Sequence, residues 1–589
     1  MTILAFIVVG ILVLFDKNSN PKYIGVADGY EGPIKVSVTL DKDKVSCINI
    51  LESAETPTVG GAAFDIIIPS IIKNQSVAID DVAGATTTST GVKTAVVNAL
   101  NSANLKLEKF NTDLTKVENN ITIAEPQTAP IEEVANSPYK DAEVVDVIIV
   151  GGGGAGLTAA IAATEKGAHV VLLEKMPLLG GNTTYSTGGM NAANTEFQKK
   201  AAIEDSEQLF YDDTMKGGQN KNNPELVKTL TDNAKFMIPW LIERGMDFTD
   251  VGQFAGASVK RIHRPAGGKA VGPVLVKTLI DKATALNIDI RTENKLTKLL
   301  KEEGKIVGVE VDNNGYVYKI FAKAIVMATG GFGANPEMVT LYDPALKGFG
   351  STNSRGITGE GIKIVNENGG QLVDMELIQT HPTVVHKNTV MITEAVRGEG
   401  AIVVNRAGKR FVSEMATRDV MSKAILNQDG GSAFLIFEQN VRERLKATID
   451  GYLKGKYVIE GATIEELGKN AGINDAELAN TIKIVNEYVT AGEDTEFKSN
   501  ALKTNLSNGP FYAIEISPAV HHTMGGVKIS SSGEVLDAEG VPIPGLFAAG
   551  EITGGVHGAN RLGGNAVADI IVFGKIAGDN AADFAKNKE

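Results

Sequence analysis

Seven side chains in five short segments carry the chemistry this sequence suggests. They are His381 in His381-Pro382-Thr383, Thr393, Glu394 and Arg397 in Thr393-Glu394-Ala395-Val396-Arg397-Gly398, and Arg418 in Ala416-Thr417-Arg418-Asp419. His521 opens His521-His522-Thr523-Met524-Gly525-Gly526, and Arg561 lies in Gly558-Ala559-Asn560-Arg561-Leu562-Gly563-Gly564-Asn565. Each arginine presents a planar fork of donors to an anion, and histidine and threonine add directional hydrogen bonds. The set suits a small molecule with two carboxylates. The plain alternative is a buried structural Arg–Glu pair and a core histidine pair. Three of the chain's seven histidines fall in these segments, which argues for a site.

These residues need a scaffold, and the chain supplies one. Val144 to Val150, apolar except for Asp146, reads as a strand of buried type that enters Gly151-Gly152-Gly153-Gly154-Ala155-Gly156. A helix from Leu157 to Lys166 and a second strand from Ala168 to Leu173, ending in Glu174, follow. This βαβ pattern predicts a doubly wound dinucleotide-binding domain, with pyrophosphate at the helix N-terminus and Glu174 on a ribose hydroxyl. The chain re-enters that domain at Ala324 to Gly331 and at Gly545 to Glu551.

Upstream, Gly32 to Leu40 alternates at strand period, Val45 to Leu51 reads as its partner strand, and a helix is expected near Val92 to Ala103. A polar stretch with Pro126, Pro130 and Pro138 marks a domain boundary. The apolar run Ile3 to Phe15 spans about 20 Å as a helix, short of a bilayer core of ~30 Å. It reads as a signal peptide or N-terminal anchor, which implies an extracytoplasmic protein; a cytoplasmic chain with an apolar end is the alternative.

The net charge of −14 and the lack of a long basic run argue against nucleic acid as a partner. The single cysteine, Cys47, excludes an internal disulfide, a Cys-x-x-Cys-His haem attachment and a cysteine-held iron–sulfur cluster. No metal site is expected.

The five segments resemble the active site of soluble fumarate reductases of the flavocytochrome c type, within the fumarate reductase/succinate dehydrogenase superfamily. Gly180 to Asn191 is similar to that superfamily's FAD-contacting segment. The resemblance implies FAD held by Gly151, Gly153, Gly154, Ala155, Gly156, Glu174, Lys175, Gly181, Asn182, Thr183, Gly188, Gly189, Gly330, His522, Glu551, Asn565, Ala566 and Val567. Membrane-bound members bond FAD covalently through a histidine in the Gly180 to Asn191 segment; it has none here, so non-covalent FAD is implied. Asp80-Asp81-Val82-Ala83-Gly84-Ala85-Thr86 resembles the flavinylation motif of FMN-binding domains, where a transferase attaches FMN by a phosphoester, here to Thr86. Alanine at 83 departs from the usual serine, and a helix cap is the plain alternative.

For the acid site the resemblance implies that His381 and Thr393 take one carboxylate, and His521 and Arg561 the other. Arg397 helps place the substrate. Arg418 gives the proton, refilled through Glu394 and Arg397, while FAD N5 gives the hydride. The implied activity is reduction of fumarate to succinate, with electrons arriving through FMN from a donor the sequence does not name. Reduction of urocanate, acrylate, methacrylate or cinnamate is the nearest alternative, and a non-catalytic flavin electron carrier is one of another class.

The expected fold is multidomain α/β and α+β. It comprises an apolar segment (1–20), a small α+β FMN-binding domain (21–110), a linker (111–140), a Rossmann-like FAD-binding domain (141–375 and 524–589) and an inserted α+β capping domain (376–523).

Overall fold

A computed structural model describes residues 22–29, 32–41, 44–53, 62–79, 86–102, 110–112, 139–266, 269–386 and 388–586. The apolar run Ile3 to Phe15, the motif half Asp80 to Ala85 and the polar stretch 113–138 lie outside the described residues. Two compact units are present, Met1–Pro138 and Tyr139–Glu589.

The smaller unit is an antiparallel sheet of β1 (Lys22–Asp28), β2 (Pro33–Asp41) and β3 (Lys44–Ser53), with helices α1 (Ala62–Asn74) and α2 (Thr86–Ser102). Ile34, Val36 and Val38 of β2 share one buried face, as strand alternation requires, and pack with Val92, Ala95, Val96 and Ala99 of α2. Gly25 explains how closely α2 lies on β1: a Cβ there would run into the Ala95 carbonyl and the Ala99 amide. β1 was not anticipated, because that glycine interrupts its apolar alternation. α2 begins at Thr86, earlier than expected, despite the weak helix propensity of its Thr-rich first turn.

In the larger unit, β4 (Glu143–Val150) is central to an eight-stranded sheet. Five parallel strands form its core: Asp289–Arg291, β5 (Val170–Leu173), β4, Tyr316–Met327 and Pro542–Ala548. β5 and the second half of β4, Val147 to Val150, are buried, which is why both read as unbroken Val/Ile/Leu runs. Helix α3 (Gly154–Glu165) leaves the glycine turn and packs on the C-terminal helix Asn565–Lys586, where Gly574 and Gly578 sit directly against Ala155 and Ala159.

A second sheet is antiparallel and carries His381 and His521 of the candidate site on its strands. Its order is Ile378–Val385, Phe511–Thr523, Ala433–Glu438 and Ile402–Val404, with Ile459–Gly461 also paired to Phe511–Thr523. The chain enters this region next to where it leaves: Leu372–Val373 pairs with Gly526–Val527 as a two-stranded ribbon. The α/β core with an α+β elaboration is the architecture the sequence predicts.

Candidate active site

Arg418 is the first residue of helix Arg418–Leu426, and its guanidinium is buried. Its Nε donates to Glu394 Oε1 at 2.5 Å and its Nη1 to Gln379 Oε1 at 3.0 Å, leaving Nη2 with no protein partner among the described residues. The same Glu394 oxygen lies 3.9 Å from Arg397 Nη2 and 3.9 Å from His381 Nε2. Burial alone would raise the Glu394 carboxyl, but Arg418 and Arg397 overcome it and hold the group below the ordinary range.

The other members close around this pair. The His381 and His521 rings meet edge to face, centroids 5.0 Å apart, and Thr352 Oγ1 lies 2.7 Å from His521 Nδ1. Burial first, then the neighbouring Arg418, lowers both imidazoles well below their usual range, so both are neutral near pH 7. Arg561 projects from the loop between Pro542–Ala548 and the C-terminal helix, and its backbone oxygen accepts from Gln379 Nε2 at 2.8 Å. Burial, then the positive Arg418, pulls Arg561 down to about 9, and its Nε is buried without a partner among the described residues. Arg397 Nη1 donates to Glu414 O at 2.5 Å while its own Nε is likewise unpartnered.

The guanidiniums of Arg397, Arg418 and Arg561 all act on Glu394, Glu414 acts on Arg397, Glu551 and Asp569 act on Arg561, and the nearby histidines are neutral. Free donors on three neighbouring guanidiniums fit a dianion. Thr393 sits beside Glu394; its Oγ1 accepts from Ala395 N at 3.4 Å and its own amide donates to Tyr452 OH at 3.1 Å.

A separate cradle lies at the end of β4. Gly156 must be glycine, since a Cβ would run into Gly151 O. A Cβ on Gly153 would meet only Gly180 O at 3.9 Å, and one on Gly181 would meet nothing within 4 Å, so the turn is open above the α3 N-terminus. Glu174 accepts from Gly152 N and Met176 N, each at 2.7 Å. Burial outweighs those bonds and raises its pKa. Thr183 Oγ1 accepts from Gly154 N at 3.0 Å. An open helix N-terminus with a fixed carboxylate at the end of the adjacent strand fits a dinucleotide.

Sequence comparison agrees with this geometry. Residues 146–567 match the FAD binding domain model, and residues 29–101 match the FMN-binding domain model. The chain is 50% identical over 456 residues to the fumarate reductase (cytochrome) of Shewanella frigidimarina, covering 77% of this chain and 79% of that protein. It belongs to the fumarate reductase/succinate dehydrogenase flavoprotein superfamily. Urocanate reductase of Eggerthella lenta is 36% identical over 578 residues, covering 96% of this chain and 92% of that protein. The structure of the open conformation of a flavocytochrome c3 fumarate reductase superposes with a TM-score of 0.66 at 43% identity, covering 76% of this chain and 79% of that one.

This member of the superfamily is a flavin-dependent oxidoreductase acting on CH–CH bonds, with FAD- and FMN-binding domains in one chain. Several of its expected flavin residues are held mutually. Asn182 Nδ2 donates to Glu551 Oε2 at 3.0 Å and to Asn353 Oδ1 at 2.6 Å. Glu551, raised by burial, accepts from Thr523 N at 3.1 Å and lies 3.4 Å from His522 Nδ1. Asn191 ties the Gly188-Gly189 segment to the C-terminal helix through Gly563 O at 2.9 Å and Asn565 Oδ1 at 2.7 Å, and Ala566 and Val567 follow in that helix. Gly330 packs on Ile357. The Lys175 ammonium is engaged by Glu360 Oε2 at 2.7 Å and Thr358 Oγ1 at 2.8 Å. Thr86 is the first residue of α2 in the other unit.

Sequence reasoning missed Gln379, Thr352 and Tyr452. Gln379 stands two residues before His381 and Tyr452 far along the chain from Thr393, so no motif spacing marked them. No metal-ligating cluster and no helix long and apolar enough to cross a membrane occur among the described residues.

Proposed function

We propose that this protein reduces fumarate to succinate, with Arg418 as the proton donor and electrons reaching FAD through FMN. The observation that carries this reading is Arg418 itself: two of its nitrogens are fixed by Glu394 and Gln379 and the third is left for substrate. When bound, reduced FAD supplies the hydride. The residues do the rest. His381 and Thr393 hold one carboxylate, while His521 and Arg561 hold the other. Arg397 places the substrate and, with Glu394, returns a proton to Arg418. Donors fixed before reaction stabilise charge that develops on the carboxylate side at little reorganisation cost. An arginine acid is workable where its proton moves as the carbanion forms, so that no neutral arginine accumulates.

The cap spans 376–523 within an FAD-binding domain of 141–375 and 524–589, joined through a linker (111–140) to an FMN-binding domain of 21–110. FAD is held non-covalently. FMN is attached by a flavin transferase to Thr86, where the N-terminus of α2 favours a phosphate. A membrane or soluble donor supplies the electrons at an extracytoplasmic location.

The test is steady-state turnover with reduced viologen across fumarate, urocanate, acrylate, methacrylate and cinnamate. Preference for fumarate by at least tenfold in kcat/KM is expected. A preference for urocanate would favour the second reading, which the similarity to urocanate reductase supports. Mass spectrometry should place FMN on the Thr86 peptide and find none after Thr86→Ala.

A further inference from the structure

The turn bearing Thr393 and Glu394 is clasped from two sides. On one side Ile392 N donates to Thr383 O and Thr383 Oγ1 donates to Ile392 O, both at 2.8 Å. Thr383 Oγ1 also lies 3.5 Å from His381 Nδ1, so this clasp belongs to the strand that carries His381. On the other side Tyr452 reaches in from helix Lys446–Lys454. Its hydroxyl accepts from Thr393 N at 3.1 Å and donates to Met391 O at 3.4 Å, bridging Ile392. One phenol can play both roles. Burial pushes it up to about 12, so it keeps its proton, and both bonds, at any working pH.

We propose that Tyr452 is a positioning residue that sets specificity for the second carboxylate, by fixing Thr393 against His381. The proposal rests on the reading that His381 and Thr393 share one carboxylate. Glu394 has its own restraints, from Arg418 Nε at 2.5 Å and from the turn closed by Gly398 N to Glu394 O at 3.0 Å. Loosening Thr393 therefore weakens one end of the substrate while leaving the proton donor in place. Loss of the hydroxyl alone removes the acceptor of the Thr393 amide without emptying the space the ring fills.

The experiment compares wild-type holoenzyme with Tyr452→Phe. KM for fumarate and Kd for succinate, the latter read from the flavin absorbance change, should rise about tenfold, the size expected for one lost hydrogen bond. The kcat and FAD content should stay within about twofold. Propionate, with one carboxylate, separates positioning from general loosening: its Kd should not move. A double-mutant cycle with Thr393→Ala closes the argument, because a residue acting through Thr393 has no further effect once that hydroxyl is gone. Unchanged KM, equal weakening of succinate and propionate, or independent penalties in the cycle would each overturn the proposal. A wild-type enzyme that fails to reduce fumarate would instead overturn the functional reading, and the succinate and propionate titrations would still test Tyr452.

Discussion

Gln379 joins Arg418 to Arg561. Its side-chain oxygen accepts from Arg418 Nη1 at 3.0 Å, while its nitrogen donates to the Arg561 backbone oxygen at 2.8 Å and to Asn560 Oδ1 at 2.8 Å. One buried amide thus couples the proposed proton donor, on one sheet's helix, to a carboxylate clamp on the loop before the C-terminal helix. Gln379→Met keeps the volume and removes all three bonds. Turnover should fall roughly 10²-fold, the scale of a small misplacement at a reacting centre. Steady-state kinetics with normal FAD content would check it, and kcat/KM within threefold of wild type would refute the coupling.

Arg418→Ala and Arg561→Ala should fail differently. With Arg418 as the proposed proton donor, its loss removes an interaction made mainly in the transition state, so kcat should collapse while KM and succinate affinity hold. Arg561→Ala leaves a desolvated carboxylate without its partner, so KM should rise as well. Arg418→Lys keeps the charge but loses the fork that meets Glu394 and Gln379, and should recover little of the rate. Near-normal turnover in Arg418→Ala would mean that another group is the acid.

Glu174 anchors the dinucleotide cradle through two backbone amides, Gly152 and Met176. Glu174→Ala strands both donors and removes the proposed ribose acceptor, which should weaken FAD binding by about 1–3 kcal/mol, or roughly 5- to 150-fold. Ultrafiltration with fluorescence of released FAD measures this directly. Retention of FAD at wild-type affinity would remove Glu174 from the binding role.

Legibility tracked the range of the contact. Gly151 to Gly156 and β4 were readable because one segment holds both the apolar run and the turn it feeds. The arginines and His381 were readable because each sits inside a short, distinctive word of sequence. Gln379 and Tyr452 were not: their partners lie 181 and 59 residues away, respectively, for the Asn560 and Thr393 contacts, and an isolated Gln or Tyr carries no periodic signal. β1 failed for a related reason. Gly25 weakens its strand signal, and only the packing of α2 reveals why a side chain is forbidden there.

His263 offers a stability test independent of catalysis. It is fully buried on Ile262–Pro265, which pairs with Met190–Asn191 at the end of the proposed flavin segment. Its Nε2 lies 2.8 Å from Thr195 Oγ1 and its Nδ1 2.9 Å from Arg261 O, a pattern that satisfies a neutral ring with Nδ1 as donor. Burial lowers its pKa from 6.5 to about 4. The unfolded chain therefore binds the proton first as pH falls, so this contribution to stability is complete above about pH 6.5. It is lost progressively toward pH 4, costing about 2 kcal/mol by pH 5. His381, His521 and His522 are also lowered well below 6.5 and act with the same sign. Urea midpoints of wild type should thus drop between pH 7 and pH 5. His263→Gln, which retains a donor and an acceptor but cannot titrate, should be less stable at pH 7 yet show a smaller drop. An identical drop in the two proteins would mean that His263 takes up its proton in the folded state.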